Sequence, residues 1–233
     1  MSCPSKPLSD KWQQIYPLTD IATALRFMQS TWNNLVAQFP DLVHPGLKEQ
    51  VITQNFGAHL QSGSAAGGLS GVFQYELPMS VLDPVTGKRI QQSYSDISYI
   101  DTAFRFPTGR HLSLIFEFKK LNVTHKSRYA YTGKAGMEKF IGGRYARHAK
   151  SLGFMVGLVH ADADSAINKL KKRLRHGKWR AYLHIVPDET GEFVRKPSAK
   201  FAELVSFETF HSRRENGPLS ELTICHFFLG FEV

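Results

Sequence analysis

One hexapeptide constrains the fold more than any other part of the chain: Leu114-Ile115-Phe116-Glu117-Phe118-Lys119. In an extended strand, residues two apart share a face, so Glu117 and Lys119 project together while Phe116 and Phe118 project the other way. The two phenylalanines require an apolar layer against one face. The carboxylate and the ammonium, flanked by residues that belong in a core, are costly to bury unless they are well satisfied or put to use. The composition can supply the surrounding layers. With 233 residues, 42% hydrophobic and 12% aromatic, the chain is long enough for one full-sized domain and marginal for two.

The remaining pattern predicts a single α/β domain over residues 18–233, with a core over about 47–160 and a proline-bearing arm over 1–17. Thr19 or Asp20 is placed to cap a helix reaching about residue 39, with Ile21, Leu25, Met28, Trp32, Leu35 and Phe39 at helical spacing. A second helix, to about residue 61, carries Val51, Ile52, Phe56 and Leu60 on one stripe with Glu49 beside it. Strands follow over 72–82, 90–106 and 111–121, the last two joined by Pro107-Thr108-Gly109. Next come a helix over 134–151, a buried strand over 154–160 and a basic helix over 164–176. Strands over 181–186 and 222–231, with a polar connection between, complete the order.

The strand before Glu117 carries Asp96 and Asp101, and either can approach it across the hairpin. Counting alone does not choose, because a one-residue shift in register flips every side chain. Two carboxylates converging on one point attract a hard divalent cation such as Mg²⁺, with Mn²⁺ able to substitute. A lysine beside them can orient or help deprotonate a metal-bound water and stabilise a developing oxyanion. These are the parts needed for metal-assisted hydrolysis of a phosphodiester.

The order of elements, with Asp96 followed twenty-one residues later by Glu117-Phe118-Lys119, resembles the PD-(D/E)xK nuclease superfamily. The resemblance covers roughly residues 47–160. It implies a restriction-endonuclease-like core, a central mixed β-sheet flanked by helices, and Mg²⁺-dependent cleavage of DNA or RNA. It also implies Asp96, Glu117 and Lys119 as the catalytic set, and Asp96, Glu117 and Glu49 as metal ligands. Ser95 stands where the motif's proline would be, and residues 136–145 hold no glutamine where many members carry Gln-x-x-x-Tyr. The block Gly153-Phe154-Met155-Val156-Gly157 resembles stand-alone members associated with bacterial genome defence, which implies a homodimer or a partner protein in a defence system.

Charge adds a partner. The formal net charge is +9 and the pI about 9.6, while residues 1–119 hold nine basic and nine acidic side chains. The whole excess therefore lies in residues 120–233, a one-sided field suited to a polyanion. The candidate nucleic-acid contacts are Lys126, Arg128, Lys134, Lys139, Arg144 and Arg147 in one run, and Lys169, Lys171, Lys172, Arg173 and Arg175 in another. Tyr129, Tyr131 and Tyr145 are interleaved with the first run, as base stacking would use them. DNA is expected ahead of RNA; the alternative is a nucleic-acid-binding module on the same fold with a silent centre. Asp162 and Asp164 read as helix-capping residues and His226 as a satisfied core histidine. Two cysteines, Cys3 and Cys225, exclude a disulfide framework. Without a long apolar stretch or a signal-peptide pattern, a cytoplasmic protein with no membrane partner is expected.

Overall fold

The computed structural model describes residues 17–76, 78–82, 89–105, 111–142, 145, 152–213 and 221–232. The expected arm, except Pro17, lies outside the described residues, as does the hairpin turn at Pro107-Thr108-Gly109. The chain opens with α1 (Leu18–Gln38) and α2 (Glu49–Gly63). The stripe Ile21, Leu25, Met28, Trp32 and Leu35 is buried as its spacing predicts. Neither Thr19 nor Asp20 caps α1, which starts after Pro17 with no side-chain cap; Asp20 sits in the first turn, where the helix dipole favours an acid.

The strands are β1 (Gly71–Tyr75), β2 (Pro78–Leu82), β3 (Arg89–Tyr94), β4 (Ile97–Arg105) and β5 (His111–Leu121). Two expected single strands are thus each divided. The 72–82 run breaks at Glu76, whose φ of 48° is left-handed and cannot continue a strand. The 90–106 run breaks at Ser95-Asp96. The pieces β2 and β3 pair only with each other, as a two-stranded ribbon set apart from the main sheet.

Further on lie α3 (His125–Thr132), α4 (Glu138–Ile141) and β6 (Leu152–Val159). They are followed by α5 (Ala163–Arg175), α6 (Gly177–Leu183), β7 (Ile185–Val186), β8 (Phe207–Ser212) and β9 (Glu221–Gly230). Of the expected helix over 134–151, residues 143–144 and 146–151 lie outside the described residues; the described part holds only the one-turn α4, and a separate helix, α3, precedes it. Thr124 caps α3 by accepting from the Ser127 N–H, and the chain then doubles back: Met137 N–H donates to Tyr131 C=O at 2.9 Å. Gly136 lies so close to the Tyr131 carbonyl that a side chain there would collide with it. The expected strand over 181–186 is helical for its first half, and the connection before β9 contains a strand, β8, that the polar sequence did not announce. Asp162 precedes α5 in a left-handed conformation and makes no side-chain cap.

The main sheet has seven strands in the order β1-β4-β5-β6-β9-β8-β7. β5, β6 and β9 run parallel and the other pairs are antiparallel, so the sheet is mixed. One face buries Phe116, Phe118, Phe154 and Phe227 against Trp32 and Phe56 of α1 and α2. The other buries Ile115, Met155 and Ile224 against Tyr131, Phe140, Leu170 and Leu183 of the later helices. The protein is an α/β domain with a seven-stranded mixed sheet between helical layers.

Candidate active site

β4 begins late, and that beginning makes the site. The last β4–β5 pair is Ile97 with Phe116, so the next residue outward, Asp96, stands opposite Glu117. Past that point β5 runs on to Leu121 without β4 beside it. Two carboxylates take over the missing strand's acceptors: Phe118 N–H donates to Asp96 Oδ2 at 2.8 Å, and Lys120 N–H donates to Glu49 Oε2 at 2.7 Å. The first residue of α2 is thereby tied to a strand it packs across through Phe56 and Phe118.

Lys119 lies at the centre. Its Nζ is 2.8 Å from Glu49 Oε1, 2.9 Å from Glu117 Oε1 and 3.7 Å from Asp96 Oδ2, and it also donates to the Phe118 carbonyl. Three acids from α2, the turn before β4, and β5 therefore meet around one nitrogen. Asp101, the rival of Asp96, faces the other way: it shares parity with Ile97 and Tyr99, and its carboxylate accepts from the Ser70 hydroxyl. The register leaves it out of the site.

Glu117 is fully buried, with a complete set of donors. Its Oε1 accepts from Lys139 Nζ at 2.6 Å as well as from Lys119, and its Oε2 accepts from the Tyr145 hydroxyl at 2.6 Å. Lys139 Nζ lies 3.3 Å from the same hydroxyl, which is also 2.9 Å from the Tyr94 carbonyl. Lys139, expected to touch nucleic acid, instead holds Glu117, and Tyr145 joins it there rather than lying exposed for stacking. Tyr131 is buried too, while Tyr129 and Tyr94, whose carbonyl meets this hydroxyl, are half exposed.

Asp96 and Glu49 retain 27% and 32% side-chain exposure, against 0% for Glu117, so the cluster opens to solvent through them. Burial, reinforced by the charge of Glu117, raises the Asp96 carboxyl to about 6; Lys119, Lys139 and the Phe118 N–H only partly offset this. Burial pulls the Lys119 ammonium down, but Glu117, Asp96 and Glu49 outweigh it and hold it above the ordinary lysine range. Lys119 is thus a firmly charged group.

The basic runs divide. Lys126, Lys134, Lys169, Lys172 and Arg175 are exposed. Arg128 is half-buried and donates to the Val123 carbonyl at 2.5 Å. Arg173 is buried, its guanidinium 3.5 Å above the Trp179 ring and its Nε donating to Thr132 at 3.1 Å. Lys171 is buried as well. Arg144 and Arg147 lie outside the described residues. Among the described residues, no three of His, Cys, Asp and Glu form a ready-made metal group; an ammonium lies where the three acids come together. No helix among them is long and apolar enough to cross a membrane. Set against family models, curated proteins and solved structures, the chain finds no match.

Proposed function

We propose that this protein is a metal-dependent nuclease with a restriction-endonuclease-like core of the PD-(D/E)xK type. The observation that carries the reading is the meeting of Glu49, Asp96 and Glu117, from three separate elements, around Lys119 Nζ. The element order gives further support: α2, then β1, β4 and β5 as neighbours, then helix, then β6 parallel to β5. A divalent cation fits the donor set. Carboxylate oxygens are hard ligands, and an acid as reluctant to ionise as Asp96 gains by facing a positive charge.

Glu49, Asp96 and Glu117 would hold Mg²⁺, which when bound supplies Lewis-acid stabilisation of charge on a phosphodiester. The chain's own groups do the rest. Lys139 and Tyr145 fix the Glu117 carboxylate on both oxygens, so it presents one orientation. The Asp96 and Glu49 carboxylates are oriented by the β5 backbone. Lys119, held charged, acts electrostatically: it donates toward an oxygen that gains negative charge and does not serve as a base. Tyr94 and the exposed lysines Lys126, Lys134, Lys169 and Lys172 supply a stacking face and phosphate contacts for nucleic acid, DNA ahead of RNA.

A second reading has its own observation. The same contacts close on themselves, with Lys119 neutralising the acids that cap β5, as a nucleic-acid-binding module with a silent centre would have them. Incubating the purified protein with circular and linear DNA and with RNA, in Mg²⁺, Mn²⁺ or EDTA, separates the two. The nuclease reading expects cleavage that EDTA stops. Tight binding without cleavage in any metal supports the module.

A further inference from the structure

A second concentration of charge lies along α5. Lys171 and Arg175 are four residues apart and so share a helix face. Lys196, on the segment between β7 and β8, lies near enough for its charge to act on Lys171. Lys171 is only 8% exposed and forms no ion pair among the described residues. Burial, then the charges of Lys196 and Arg175, push its ammonium below the ordinary lysine range, with Asp164 offsetting only part. Like charges at this spacing on a helix destabilise it, and more so when water is excluded.

A cavity of about 520 Å³ is lined by Arg175, Arg195 and Lys196 together with Asp188 and Glu192; Lys171 lies one helical turn before Arg175. The three cations outnumber the two acids. Asp188 is occupied within its own turn, accepting from the Thr190 and Glu192 N–H groups at 2.8 and 2.9 Å. Arg195 is paired with Glu189 at 3.3 Å. Among the described residues Lys171, Lys196 and Arg175 are in no ion pair, and Asp164 offsets only part of the charge at Lys171. Two ammonium groups and a guanidinium fork are the donors that a phosphate takes. The cavity exceeds what a bare phosphate fills and falls in the range of small-molecule sites, about 300–1,000 Å³.

We propose that Lys171, Arg175 and Lys196 form a binding site for a phosphate monoester of nucleotide size. The site is distinct from the carboxylate cluster and does not depend on the nuclease reading. Its ligand is either a free mononucleotide or the phosphorylated end of a nucleic-acid strand.

The test titrates the full chain with a nucleoside monophosphate at fixed ionic strength, following both the melting temperature and calorimetric binding. Wild type should melt higher with nucleotide than with sodium chloride of equal ionic strength, in a saturable way. Lys196→Met and Arg175→Gln, both surface changes, should each weaken Kd at least about tenfold. In chloride alone, Lys196→Met should melt no lower than wild type, because it relieves a like-charge contact. Lys119→Ala should bind as wild type does, which keeps this result independent of catalysis. Oligonucleotides with and without a 5′-phosphate distinguish the sources: a dependence on that phosphate assigns the strand end, and response to the mononucleotide alone assigns the free ligand. No rise beyond the chloride control with any of these probes overturns the proposal. So does nucleotide binding that both substitutions leave unchanged.

Discussion

Glu117 and His226 stand on one row of the sheet, two strands apart with Met155 between them, and both are fully buried. Their surroundings treat them in opposite ways. Around His226 the proton positions on the two histidines and Thr209 follow one from another. The Leu183 carbonyl can only accept, so His211 donates to it from Nδ1 at 2.8 Å. Neutral His211 then accepts at Nε2 from the Thr209 hydroxyl at 2.7 Å, whose oxygen accepts from His226 Nε2 at 3.0 Å. His226 Nδ1 is left to accept from the Tyr131 hydroxyl at 3.0 Å. Burial holds both histidines below the ordinary range, His211 at about 4, and so keeps them neutral. The Glu117 network is built from full charges, excludes water only on its inner side, and leaves two carboxylates in partial contact with solvent. A neutral, closed network specifies a core; a charged one with an open side has something to exchange with solvent.

The comparison breaks first at Glu117. Glu117→Leu takes from Lys139 its ion-pair partner and from Lys119 one of three, and should cost about 3–5 kcal/mol in chemical denaturation, the cost of stranding largely buried charge. Thr209→Val removes the link between the two histidines without adding charge. It should cost less, about 1–3 kcal/mol, and leave nucleic-acid cleavage intact. Equal losses from the two would mean that the networks are held by the same kind of force.

Acid sharpens the contrast. Unfolded histidine takes up a proton near pH 6.5, which folded His211 refuses until about 4. Stability is therefore complete above about 6.5 and lost as pH falls toward 4, by roughly 3 kcal/mol for His211 and further through His226. Asp96 works in the other direction. Its carboxyl, raised from 3.8 to about 6, binds a proton more readily folded than unfolded and stabilises the fold across the same window. Melting temperature should fall on acidification, and Asp96→Asn should steepen the fall.

The smallest effect belongs to the surface. Lys169→Ala and Lys172→Ala should each change stability by less than about 0.5 kcal/mol and lower the salt slope of nucleic-acid binding by about one. Lys171 and Arg173 do not serve in this test, because both are buried and Arg173 packs on Trp179.

How much of this was legible follows from what each feature depends on. The shared face of Glu117 and Lys119 needs only strand alternation, and it was readable directly. The choice of Asp96 over Asp101 depends on where β4 begins, a break at Ser95-Asp96 inside a run that reads as one continuous strand. Glu49 was readable as an acid beside the apolar stripe of the second helix, though its contact with the Lys120 backbone arises only when α2 packs across β5. Lys139 and Tyr145 were read as nucleic-acid contacts, since their approach to Glu117 depends on the chain doubling back at Gly136, inside the span read as one helix. The nearest signal was Thr124 ahead of a helical stretch, a capping pattern marking an earlier start. β8 went unseen because Glu208, Thr209 and His211 look polar; the last two are satisfied inside by the histidine network, and Glu208 accepts from the Ser198 hydroxyl on one oxygen with Lys200 Nζ 3.9 Å from the other.

One measurement tests the central claim most directly: cleavage of end-labelled DNA and RNA in Mg²⁺ by wild type and by Lys119→Ala, with binding of the same substrates followed in parallel. The account predicts a loss of cleavage on the order of 10²–10³-fold or more in the variant, with affinity nearly unchanged because one lysine among many supplies about one counterion's worth of binding. Equal cleavage by the two proteins would contradict it, and would place the activity away from the meeting point of Glu49, Asp96 and Glu117.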